Sequence, residues 1–130
     1  MTNTFTATKW EESNYAEAEN GVKLAYAKTS YAYGGQLEGE SNSSGVLTYL
    51  PDGSGTYFGS ELFTGTIEGR KGTVVLQVTG TFDAEAVVAN LTVAPGTGTG
   101  ELADIAGDGN YVFKMGTQST EYSFSTRSAS

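Results

Sequence analysis

The sequence predicts an all-β chain folded as a single antiparallel eight-stranded β-barrel. Three observations carry that expectation. Hydrophobic periodicity is mostly two rather than 3.6. The 130 residues hold 18 glycines but only two prolines, Pro51 and Pro95, which fits many turns and bends between short strands. No segment combines a helical period with a helix cap. A sandwich would share the run of sequential hairpins. Even strand spacing, glycines inside strands and scarce proline favour the barrel.

The elements follow in order. Thr4 to Trp10 is rich in β-formers and reads as a strand. Glu11 to Asn20 is acidic and small, and is expected to be an irregular connection. Val22 to Tyr33 is long and β-prone. Leu24, Tyr26, Lys28, Ser30 and Ala32 share one face; Lys23, Ala25, Ala27, Thr29, Tyr31 and Tyr33 share the other. Gly34-Gly35 signals a turn. Gln36 to Glu40 and Val46 to Leu50 read as one strand, interrupted near Asn42 to Gly45. Pro51 to Gly55 is a hairpin turn, with proline presetting φ and glycine supplying positive φ. Thr56 to Ile67 is a strand with Gly59 and Gly65 inside it. Glu68 to Gly72 reads as the next turn. Thr73 to Phe82 is the cleanest strand, and Ala86 to Val93 the one after it. A glycine-rich loop is expected from Pro95 through Gly109. Tyr111 to Met115 and Thr120 to Thr126 close the chain.

Residues 1–130 have the length of one domain, and a chain of this size buries enough surface for a core without staples. Hydrophobic residues are 38% of the chain, which separates it from disordered sequences. There is no cysteine and no histidine. Disulfides, thiolate nucleophiles, histidine triads and Cys/His metal sites are therefore excluded. Any acid–base chemistry must use Asp, Glu, Lys or Tyr, with pKa values moved by burial. The formal charge of −8 argues against nucleic acid or anionic membrane as a partner. No apolar run reaches the roughly 18–20 residues of a membrane span, and Met1 to Trp10 lacks the apolar core of a signal peptide. The expected location is the cytoplasm.

Two motifs suggest chemistry and fail on inspection. Gly96-Thr97-Gly98-Thr99-Gly100 lacks the lysine of a phosphate loop and the following helix of a dinucleotide site. It is expected to be a tightly turned loop at one barrel end. Asp104, Asp108 and Asn110 do not have the spacing of a calcium loop and read as surface carboxylates and amide. No cofactor and no metal is expected.

The strands hold the better candidates. Glu61 lies amid Tyr57 to Phe63, and Gln77 amid Val75 to Val78. Pointing inward, they would be buried and need partners. A buried glutamate with a raised pKa is a candidate general acid. Tyr49 shares a face with Leu47 and is a candidate phenol donor to a ligand carbonyl. The alternative places Glu61 and Gln77 in solvent with Phe58, Leu62, Leu76 and Val78 inside, and residue parity alone does not choose. Eight tyrosines make an apolar lining with hydroxyl handles conceivable. Gln77, Tyr57, Tyr26, Tyr111 and Trp10 are the expected ligand contacts, with Trp10 at a barrel end. Cross-strand packing is the competing role for each aromatic.

An ordered set of short motifs now carries a resemblance. Lys9-Trp10-Glu11-Glu12, Leu37-Glu38-Gly39-Glu40, Gly59-Ser60-Glu61, Gly65-Thr66-Ile67-Glu68-Gly69-Arg70, Leu76-Gln77 with Gly80-Thr81-Phe82, and Gly98-Thr99-Gly100-Glu101-Leu102 before Gly107 follow one another along nearly the whole chain. Together they resemble the small bacterial DUF3224 family. Val78 departs from it, because a histidine often follows the glutamine there. The resemblance implies an allene oxide cyclase-like, calycin-type barrel, similar also to the dirigent barrels. Those relatives guide cyclisation or coupling of an apolar or aromatic molecule without a cofactor and are often oligomeric, so a homo-oligomer is a further expectation.

The expected function is small-molecule binding inside the barrel, extending to a cofactor-free cyclase, isomerase or dehydratase with Glu61 and Tyr49 as acid–base groups. A non-catalytic carrier would need the same cavity and no titrating group. A protein–protein module would need a solid barrel and an outer apolar patch.

Overall fold

The computed structural model describes residues 3–117 and 119–128. Eight strands form one closed antiparallel ring in sequence order. They are β1 (Thr4–Glu17), β2 (Lys23–Gly34), β3 (Leu37–Tyr49), β4 (Gly55–Ile67), β5 (Arg70–Phe82), β6 (Ala86–Val93), β7 (Ile105–Lys114) and β8 (Thr120–Ser128).

Several boundaries differ from the sequence expectation. The acidic stretch after Trp10 continues β1 to Glu17, because it pairs with β2 almost to the hairpin end. Strand β3 runs unbroken through Asn42 to Gly45, since the serines there pair with Glu61, Ser60 and their neighbours on β4. The turn after Ile67 is only Glu68-Gly69. Both residues have positive φ, 52° and 81°, the pattern of a two-residue turn whose twist matches the flanking strands. Arg70 therefore already belongs to β5. Strand β7 begins at Ile105, ahead of its glycines Gly107 and Gly109.

The lower end of the ring is packed solid. Phe5, Leu37, Phe63, Ile67, Val74 and Leu76 are among its buried side chains. The glycine-rich segment closes this end rather than forming a ligand loop. Ala94 and Thr99 donate backbone hydrogen bonds to Val75 and Thr73 of β5 at 2.9 Å each. A short 3-10 turn at Gly100–Leu102 then drops the fully buried Leu102 into the core. Tyr122 ties β8 to the β2–β3 turn: its hydroxyl accepts from Leu37 N at 2.8 Å and donates to Gly34 O at 3.0 Å.

Closure of the ring is narrow. β1 pairs with β8 only at Thr4↔Glu121 and Phe5↔Thr120. Beyond Phe5, β1 climbs with β2 as its sole paired neighbour among the described residues. A β-bulge between Ala7 and Lys9 inserts one extra residue, Thr8, into this strand. The insertion moves the inward parity from Phe5 and Ala7 to Trp10 and Glu12, which stand opposite the inward Thr29 and Ala27.

On the opposite wall β3 and β4 approach closely at Gly45↔Gly59. A Cβ on Gly45 would stand 2.6 Å from the Phe58 carbonyl oxygen and 2.9 Å from Tyr57 Cζ. The Tyr57 ring occupies the space those glycines vacate. Gly45→Ala is expected to lower stability by about 2 kcal/mol through this overpacking, read as a fall in the urea unfolding midpoint.

Candidate functional site

The inward residues of the upper half are small on one side and aromatic on the other. β2 contributes Ala25, Ala27 and Thr29, and β3 contributes Ser41, Ser43 and Gly45. These leave space that the side chains of β1, β5, β6 and β7 do not fill. The result is a cavity of about 410 Å³ at the barrel end carrying the β3–β4, β5–β6 and β7–β8 turns. That volume lies within the roughly 300–1,000 Å³ of ordinary small-molecule sites. Its walls are mainly aromatic and aliphatic, with the exposed Trp10 at the rim and Leu47, Phe82, Val87 and Phe113 along the sides. Ala7 on β1 and Thr120 on β8 both line it, so it reaches the place where those strands part.

Tyr31, Tyr57 and Tyr111 form its floor. Tyr31 and Tyr111 line the cavity and also pack on the lower core. Phe5 holds them apart, with edge-on contacts at 5.2 Å to Tyr31 and 4.8 Å to Tyr111 between ring centroids. Tyr57 shares a hydrogen bond of 3.2 Å with Ser43. Burial pushes all three phenols up, and the negative charge of Glu61 adds to the shift. The floor is therefore made of neutral hydroxyl groups throughout the physiological range.

Glu61 points inward and is 2% exposed. Its Oε1 accepts from the Tyr33 hydroxyl at 2.5 Å and from Ser41 Oγ at 2.7 Å. Both partners come from strands on the same side of the ring, β2 and β3. Burial raises its pKa, and the hydrogen bonds from Tyr33 and Ser41 pull it partly back. The carboxyl does not line the cavity. It sits beneath the phenol floor, where it acts electrostatically on Tyr31, Tyr57 and Tyr111.

Tyr49 lines the upper cavity and stacks edge-on against Phe82 at 5.1 Å. Its hydroxyl donates to Glu12 Oε2 at 2.6 Å. Partial burial and that carboxylate push the phenol up to about 12. Tyr49 at the rim and Glu61 under the floor are thus separate groups, not one acid–base pair.

The structure brings Trp10, Tyr49, Tyr57 and Tyr111 to one cavity. It places two expected contacts elsewhere. Gln77 is exposed on the outer face of β5, because its neighbours Leu76 and Val78 take the inward positions. Tyr26 is 40% exposed and faces outward, since the inward parity of β2 belongs to Ala25 and Ala27. It continues an outer row with Val46 and Phe58, its successive cross-strand partners. Phe5, Tyr31, Phe82 and Phe113 are cavity residues that the sequence reading did not single out. Tyr31 and Tyr33 were on the same face as the small Ala25, Ala27 and Thr29, which was the available signal.

Two outcomes follow from the buried carboxyl. Tyr33→Phe removes a donor to Glu61, so the Glu61 pKa is expected to rise further, read by carboxyl-carbon NMR, with stability falling by about 1–3 kcal/mol. Because the folded-state pKa is raised, the folded chain keeps a proton that the unfolded chain has released. Stability attributable to this group is then full below the ordinary value of about 4.3 and declines as pH rises through the raised one. Glu61→Gln is expected to flatten that decline in urea unfolding measured from pH 4 to pH 8.

Among the described residues no helix is long and apolar enough to cross a membrane. A family model described as "Protein of unknown function (DUF3224)" matches residues 1–125. The chain is similar to the crystal structure of a DUF3224-family protein of unknown function from Shewanella oneidensis MR-1, with 27% identity, 98% of each chain covered and a TM-score of 0.73. A search of curated proteins finds no match.

Proposed function

The chain belongs to the DUF3224 family, a family of unknown function, and from the geometry of the barrel mouth we propose that it binds a small apolar or aromatic molecule. One observation carries the reading: a cavity of about 410 Å³ with aromatic and aliphatic walls above a floor of three phenols. Moving an apolar guest from water onto such walls yields about 25 cal/mol per Å² buried. The phenols then orient its polar end, since each hydroxyl both donates and accepts. The small residues on β2 and β3 leave the space, and the solid lower core sets its depth. The expected setting is the cytoplasm.

A second reading, cofactor-free cyclisation or isomerisation, is favoured by Glu61. A buried carboxyl of raised pKa beneath three cavity phenols biases the floor's electrostatics. Confinement would supply the remainder by restricting the guest to a reactive conformer. The resemblance to allene oxide cyclase and dirigent barrels supports the same reading. Glu61 would act through the floor, because its Oε1 is already held by Tyr33 and Ser41.

The neutral dye N-phenyl-1-naphthylamine tests the binding proposal. Its emission is expected to rise saturably with a Kd on the order of micromolar. Val87→Trp, which projects an indole into the cavity, is expected to weaken binding at least about tenfold. Absence of saturation, or a Kd indifferent to Val87→Trp, overturns it.

A further inference from the structure

We propose that the cavity selects organic cations, an amine or quaternary ammonium carried on an apolar or aromatic body. The proposal rests on the binding reading above and names the class of guest.

Eight of the fifteen lining residues are aromatic, and the only charged one is the acid Asp83. Aromatic faces carry negative potential, and a cation within about 6 Å of a ring centroid is attracted to it. Tyr31 and Tyr111 each pack edge-on against Phe5, with ring centroids at 5.2 and 4.8 Å, so a group resting on the floor meets several rings at once. The phenol oxygens also accept hydrogen bonds from an ammonium.

Three carboxyl groups surround this aromatic shell. Glu61 lies beneath the floor, close enough to act electrostatically on Tyr31, Tyr57 and Tyr111. Glu12 is bound to Tyr49 at the rim. Asp83 stands at the β5–β6 turn, where the backbone N–H groups of Glu85 and Ala86 hold its carboxyl below the usual range and hence ionised. No lysine or arginine lines the cavity. Lys23 has the inward parity of β2 but stands at the strand's outer end, opposite Glu17 of β1. Lys9 is turned to the outer surface, against Glu11 at 3.3 Å. A carboxylate or phosphate guest would therefore meet aromatic faces and acids with no compensating cation, whereas an ammonium meets attraction from floor and rim alike.

The test is a charge ladder on one skeleton: 4-phenylbutylammonium, 4-phenylbutanol and 4-phenylbutanoate, titrated at pH 7.5 in low salt. Trp10, the single tryptophan, sits at the cavity rim and reports binding by its fluorescence. The ammonium is expected to bind at least about tenfold tighter than the alcohol, with the carboxylate weakest. An alcohol that equals or exceeds the ammonium overturns cation selection and leaves the binding reading standing. Failure of all three to saturate overturns both. Asp83→Asn, on an exposed turn, is expected to narrow the ammonium-to-alcohol ratio without disturbing the fold. Glu61→Gln is expected to narrow it further. A ratio unchanged in both variants overturns the role given to the carboxyl groups.

Discussion

Eight paired strands fix the girth of the ring, so the volume of the inward side chains alone decides where it is hollow. Every other feature of the molecule follows from that constraint. At the lower end Phe63, Ile67, Leu37 and Leu102 fill the ring. Halfway up, the inward positions on β2 and β3 become alanine, serine, threonine and glycine, and the filling stops. Gly45 and Gly59 carry the same economy into the backbone, letting two strands close up so that Tyr57 lies flat over them. Replacing a few small residues with leucine would turn this cavity into core.

The boundary between filled and empty regions is where the polar groups collect. Tyr33, Ser41, Ser43, Glu61 and Thr29 are buried there, with Tyr31, Tyr57 and Tyr111 above them. A carboxyl taken out of water is tolerated only with hydrogen-bond donors, and Tyr33 and Ser41 supply two. Apolar side chains at those positions would fill space at less electrostatic cost. The retained polar layer fixes the phenols in place and sets the potential that a guest would experience.

Much of this was legible in the sequence. The β-branched, apolar run from Thr73 to Phe82 could be placed within a few residues. The fold class followed from glycine spacing and the absence of helical periods. Glu61 was recognisable as a polar residue in an apolar setting. Other features were not legible for physical reasons. Glu11 to Glu17 has no hydrophobic alternation because that part of β1 faces solvent, so pairing with β2 alone makes it a strand. Thr8 hid the inward course of β1, since one inserted residue reverses parity and a sequence does not announce where insertion occurs. Gln77 and Tyr26 share their strands with Leu76 and Ala25, and only the packed ring decides which parity is inside. The cavity itself depends on residues from all eight strands and the turns between them, a juxtaposition that no local pattern encodes.

The two-pair junction between β1 and β8 has a consequence for how the barrel would measure a guest. A sealed box gauges its contents at both ends and rejects anything too long. Here the wall stops short beside the cavity, where Ala7 and Thr120 part company. A head group would be gauged closely against Tyr31 and Tyr111, while a tail could trail through the gap into water at little steric penalty. A barrel so built would discriminate by the chemistry of one terminus and be permissive about length, as a ruler with only one end marked.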